Sequence, residues 1–137
     1  PAVSRTDLAL ISATNPSANV ARTVGDVDSG DRVRMEGSTS TRTYQVGGAC
    51  VFRKLGQACF EELWDLSPPT PGVLSPNLSA ALFTPPRDGD SGSWLLRDGD
   101  VWTGMVVGAD ALAGYALSSD LILDEARAAF GLDLELA

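Results

Sequence analysis

The chain has 137 residues, 44% of them hydrophobic, with eighteen acidic side chains against ten basic ones, no histidine, and a net charge of −8. That length suits one domain, able to bury roughly two-thirds of its unfolded surface around a single core. The basic residues form no cluster longer than Arg53-Lys54, so the concentrated Lys and Arg that phosphate-backbone binding needs are missing, and no nucleic-acid role is expected.

Thr6 to Ile11 reads as a short apolar strand containing Asp7, followed by a turn-rich stretch, Ser12 to Asn19, with Asn15-Pro16 in it. No basic region followed by an apolar stretch opens the chain. No secretory signal is therefore read, and with a low cysteine count the expected compartment is the cytoplasm; a secreted protein whose leader had been removed would look the same. Val20 to Val27 is a weak segment, irregular with some strand, and Asp28-Ser29-Gly30-Asp31 is a turn.

From Arg32 the pattern is β. Val33 and Met35 alternate with Arg32, Arg34 and Glu36, and Thr39 to Val46 is rich in Thr, Tyr and Val before Gly47-Gly48 breaks the run. Ala49 to Phe52 and Ala58 to Leu63 read as a hairpin turning at Lys54 to Gln57. Cys50 and Cys59 flank that turn, either as reduced core thiols or as a disulfide across it. Without histidine they cannot complete a four-ligand zinc site, and no metal is expected.

Ser67 to Pro86 holds six of the eight prolines, which lack the donor that an interior strand position needs, so it reads as a long loop with a short strand near Ala80 to Phe83. Two apolar runs follow, Ser93 to Leu96 and Val101 to Val107. Arg97-Asp98-Gly99-Asp100 separates them as a hairpin turn in which Asp and Gly tolerate positive φ. Val101 to Leu117 is weakly charged, but Asp110 and three glycines interrupt it and it falls short of a membrane span. Ser118-Ser119-Asp120 then offers N-cap oxygens, Arg127 lies late, Gly131 can close the last turn, and Ile122, Ala126 and Ala129 share one face of a terminal helix. Many strands and one helix predict an all-β body with a packed C-terminal helix.

The tetrapeptide of that hairpin turn also occurs ten residues earlier, where Arg87-Asp88-Gly89-Asp90 runs into Ser91-Gly92-Ser93. A hydroxyl between two glycines, after a loop and before an apolar strand, has the setting of a nucleophile. The glycines allow a tight turn that presents main-chain N–H groups to an oxyanion. A Gly-x-Ser-x-Gly elbow does not fit, because Ser93 stands at the last glycine and no helix pattern follows. Asp88 and Asp90 lack the further ligands of a calcium loop.

At Gly89-Asp90-Ser91-Gly92-Ser93 the chain resembles the chymotrypsin/trypsin-like serine proteases. The resemblance continues through the hairpin, through Val101-Trp102-Thr103-Gly104-Met105-Val106-Val107-Gly108 and through the terminal helix. Asp7-Leu8-Ala9-Leu10-Ile11 looks like that family's segment bearing the triad aspartate. The resemblance implies the second β-barrel of a double-barrel fold, with the tail of the first barrel and the interdomain connection at 1–27, the second barrel at 28–117, and the helix and tail at 118–137.

It further implies Ser91 as nucleophile, the N–H groups of Gly89 and Ser91 as oxyanion hole, Asp7 as the carboxylate orienting a histidine, and Asp90 as an inward-facing support. Val106, Val107 and Gly108 would pair with substrate backbone, and Gly114-Tyr115-Ala116 would form a pocket wall. The pocket base would lie near Thr84-Pro85-Pro86, where no acid supports a preference for Arg or Lys. A polypeptide substrate is implied, and no cofactor.

The departure is the histidine. A serine hydroxyl is a poor nucleophile until a base accepts its proton, so this chain is not expected to be a competent triad enzyme alone. The expected arrangement is a protease piece whose histidine comes from an upstream segment or an associated N-terminal fragment. The alternatives are an inactive domain that binds extended peptides by β-augmentation, and a dyad of Ser91 with Lys54, the only lysine.

Overall fold

The structure, a computed structural model, describes residues 3–4, 21, 23–37, 41–48, 51–55, 58–69, 84–110 and 113–136. Its strands are β1 (Val3–Ser4), β2 (Thr23–Val24), β3 (Arg32–Glu36), β4 (Thr41–Val46), β5 (Val51–Leu55), β6 (Ala58–Ser67), β7 (Trp94–Arg97), β8 (Val101–Ala109) and β9 (Gly114–Ser118), followed by helix α1 (Ser119–Phe130). The strands expected at Thr6–Ile11 and Ala80–Phe83 lie outside the described residues.

Six antiparallel strands close on themselves in the order β6-β4-β3-β7-β8-β9-β6. Closure leaves these strands without free edges over their paired length. The joints are unequal. β3 and β4 pair over five residues, whereas β4 pairs with β6 at Gln45↔Ser67 and Val46↔Leu66, a joint that Gly47 and Gly48 continue through hydrogen bonds with Asp65.

Alternation places one set of side chains inside the barrel. Val33, Met35, Tyr44, Val46, Leu66, Leu95, Val106 and Ala116 form a buried cluster there. The neighbouring positions Leu63, Leu96, Trp102, Tyr115 and Leu117 belong to a second cluster that also takes in Leu121 and Ile122 of α1, together with Ala21. This explains the nearly continuous apolar runs Trp94-Leu95-Leu96 and Val101 to Val107. A strand covered on both faces does not alternate with polar residues.

β6 is longer than the sequence predicts. Leu63 and Leu66 are both fully buried, on opposite faces, so the strand continues through both clusters. Its first half pairs with β5 and, in parallel, with β1; its second half enters the barrel. Lys54 stands within β5 opposite Cys59, and not in the turn, while Cys50 lies outside the described residues.

The hairpin turn between β7 and β8 spans 98–100 because Arg97 pairs with Val101. Positive φ falls on Gly99 (82°) and Asp100 (57°), one residue later than the Asp-Gly pair predicts, as in a three-residue loop. Asp100 Oδ1 accepts from Arg34 Nη2 at 3.2 Å, which ties the turn to β3.

The helix follows its sequence signals. Ser118 Oγ accepts from the Leu121 N–H at 3.2 Å, and Gly131, at φ 65°, donates to the Ala126 and Arg127 carbonyls. None of the described helices is long and apolar enough to cross a membrane.

Candidate active site

Ser91 sits in the loop between Thr84 and β7, exposed, in the turn that follows the first copy of the repeated tetrapeptide. Gly89 (φ 95°) and Gly92 (φ 90°) flank it in a backbone region that L side chains rarely adopt, so the Gly-Asp-Ser-Gly spacing is a conformational requirement of this turn.

Asp90, 1% exposed, holds the turn from within. Its Oδ2 accepts from the Arg87 N–H at 2.9 Å, and its own N–H donates to the Arg87 carbonyl at 2.9 Å. The buried carboxylate thus finds its donor three residues upstream, across the β-turn that the Asp90 N–H closes onto the Arg87 carbonyl. The i, i+3 spacing of Arg87 and Asp90 was the available signal.

The Ser91 hydroxyl donates to the Val107 carbonyl at 3.3 Å. Among the described residues, the N–H groups of Gly89 and Ser91 have no acceptor, while those of Asp90, Gly92 and Ser93 are all engaged. Two unengaged donors beside an exposed hydroxyl are what an oxyanion-binding turn requires.

Beyond Ser91 the strand ladder decides what remains open. Gly92 donates to the Val106 carbonyl at 2.8 Å and Val106 donates to the Ser93 carbonyl at 2.9 Å. Both main-chain groups of Val106 are thus occupied and its side chain is in the barrel core, so Val106 does not form a substrate-pairing edge as the sequence suggests. The register shifts between Val106 and Gly108, and Val107 and Gly108 are only half-buried beyond that point. Any such edge therefore starts at Val107.

Tyr115 is also placed differently from the expectation of a pocket wall. It is 2% exposed, packs in the cluster under α1, and its hydroxyl donates to Asp110 Oδ2 at 2.6 Å. The neighbouring Gly114 lies against the buried ring of Pro86, where a Cβ would come within 2.8 Å of Pro86 Cδ. The segment before Ser91 therefore packs directly on β9. Its other anchors are at β4, where the Tyr44 hydroxyl donates to the Thr84 carbonyl at 2.9 Å and Arg42 Nη1 donates to the Pro85 carbonyl at 3.3 Å. Burial pushes the Tyr44 phenol up from its ordinary value, and Arg42 beside it partly offsets that rise.

Asp7 lies outside the described residues. Among the described residues no group of three or more His, Cys, Asp or Glu could hold a metal ion.

A closed six-stranded barrel with a C-terminal helix is the fold of one half of chymotrypsin-like serine proteases. Solved structures bear this out at low identity. A glutamic acid-specific serine protease described as using a histidine triad in substrate binding superposes with TM-score 0.56 at 20% identity, over 89% of this chain and 57% of that one. The MamO protease domain of Magnetospirillum magneticum gives 0.55 at 14%, over 74% and 50%, and a Nocardiopsis protease 0.54 at 15%, over 77% and 50%. The chain thus spans about half the length of these proteins. No protein-family model matches it, and no curated protein matches it in sequence.

Proposed function

We propose that this chain is the nucleophile-bearing half of a trypsin-like serine endopeptidase, completed by a histidine from an upstream segment or a separate associated chain. The observation that carries the reading is the Ser91 turn: an exposed hydroxyl between two positive-φ glycines, with the Gly89 and Ser91 N–H groups unengaged among the described residues.

In the completed site Ser91 Oγ leaves the Val107 carbonyl and attacks the carbonyl carbon of a peptide bond, while the histidine takes the hydroxyl proton. The Gly89 and Ser91 N–H groups bind the resulting oxyanion. The carbonyl re-forms as the C–N bond breaks, and the histidine returns the proton to the leaving amine. Water, deprotonated by the same histidine, then attacks the acyl-enzyme and restores Ser91. Asp7 is the carboxylate proposed to orient the histidine. Asp90 touches no substrate and acts by fixing the turn. The substrate is a polypeptide whose backbone pairs with the strand from Val107 onward.

One observation favours a second reading, a peptide-recognition domain that does not cut: the chain contains no histidine at all. Labelling with a fluorophosphonate separates the two. Ser91 is expected to react in the protein that includes the upstream segment, to react far less in the 137-residue chain, and not to react after Ser91→Ala. Absence of labelling in the longer protein would exclude the enzyme.

A further inference from the structure

We infer that Arg42 and Arg87 form a second binding site, separate from the Ser91 hydroxyl, that takes a small ligand through an oxyanion group, carboxylate or phosphate. The two guanidinium-bearing residues line one cavity of about 360 Å³ between the start of β4, the end of β6 and the segment leading to Ser91.

Charge makes the arrangement conspicuous. The chain has eighteen carboxylate residues for ten basic ones; Arg34 pairs with two of them, Glu36 and Asp100, and Arg127 with Asp133. Among the described residues no carboxylate lies within ion-pairing distance of Arg42 or Arg87, and none lines the cavity. Two like charges around one hollow repel each other, and an anion between them reverses that term. Among the described residues, Asp90 is the acid whose field reaches Tyr44 in the lining. It is buried and already bonded through Oδ2 to the Arg87 N–H, so it reduces the positive field of two cations without cancelling it.

Both arginines are built in. Arg42 is half-buried and oriented by its bond to the Pro85 carbonyl and by the Tyr44 hydroxyl beside it, which leave part of its five-donor fork open. The main chain of Arg87 is pinned on both sides by Asp90, with its side chain left exposed. A planar guanidinium meets a carboxylate or phosphate with two parallel bonds. Thr43 and Thr84 add hydroxyl donors to the lining. Tyr44 remains a neutral phenol, committed to the Thr84 carbonyl. Pro68 and Pro69 bring no N–H and close one side with ring carbons, so the cavity suits an anionic head on a short apolar body.

The test is titration of the 137-residue chain with glutarate, with inorganic phosphate and with sodium chloride at matched ionic strength, followed by calorimetry and by amide chemical shifts. Saturable binding of glutarate, phosphate or both is expected at millimolar concentration or below, with shifts at Arg42, Thr84 and Arg87. Glutarate alone would assign the site to carboxylates and phosphate alone to phosphate esters. Arg87→Gln, at an exposed position, is expected to weaken binding at least ten-fold, as is Arg42→Gln, with Arg127→Gln and Ser91→Ala unchanged. Binding no tighter than chloride, or equal affinity in Arg87→Gln and wild type, would overturn the inference. Because Ser91 is not among the lining residues, the outcome is independent of the peptidase reading.

Discussion

Replacing Asp90 tests what holds the Ser91 turn. Its carboxylate is 1% exposed and accepts the part-buried Arg87 N–H, so Asp90→Ala removes that bond and leaves a small void. A bond to a charged acceptor contributes about 1.5–3 kcal/mol, so a loss of about 2 kcal/mol is expected, about thirty-fold in the folding equilibrium. Asp90→Asn keeps an acceptor oxygen for the same N–H, loses only the charge-assisted part, and should cost about 1 kcal/mol. Urea denaturation followed by the fluorescence of the three tryptophans gives both values, and amide exchange at Arg87 locates the effect. A neutral Asp90→Ala, or an Asp90→Asn as damaging as Asp90→Ala, would refute the reasoning, the second outcome by showing that the charge and not the hydrogen bond holds the turn.

Gly104→Ala should destabilise by about 3 kcal/mol or more on urea denaturation, because a Cβ there falls far inside contact distance of the Leu117 carbonyl oxygen in the β8–β9 ladder. Ser118→Ala removes the oxygen that caps Leu121 and should cost about 1 kcal/mol, read as a lower thermal midpoint. The Asp120 carboxyl is raised above its ordinary value by its hydrogen bond with Asp26, with burial, Asp26 charge and Asp124 adding to the rise. A raised acid binds its proton more tightly folded than unfolded, so it favours the fold below the ordinary Asp range, and that contribution is lost as pH rises through the folded-state value. Asp26→Asn should therefore raise the thermal midpoint at pH 7 and leave it nearly unchanged at pH 3; an equal effect at both would count against the pair.

The barrel was legible where side chains alternate or caps punctuate. Val33 and Met35 mark β3, Ser118 and Gly131 mark the helix ends, and Gly89 with Gly92 marks the turn that carries Ser91. What sequence reasoning missed depended on partners distant in the chain. The length of β6 follows from two cores meeting across Leu63 and Leu66, which a short apolar run does not disclose. Val106 appeared available to a substrate because the sequence does not reveal that Gly92 and Ser93 already pair with it. Tyr115 is core and not pocket because α1 packs over it. The cavity between Arg42 and Arg87 is absent from any local motif, since 45 positions of chain separate its two cations.

The narrow joint between β4 and β6 has a mechanical consequence. A closed cylinder opens at a seam, and at this one two residue pairs, the Ser67 Oγ bond to the Gln45 carbonyl and the bonds of Gly47 and Gly48 with Asp65 hold the wall shut. Parting it would unroll the wall into an open sheet while β3, β7, β8 and β9 still hold together. Because Arg42 and Tyr44 tether Thr84 and Pro85 from the β4 side of that split, the turn bearing Ser91 would lose its moorings before the rest of the molecule lets go.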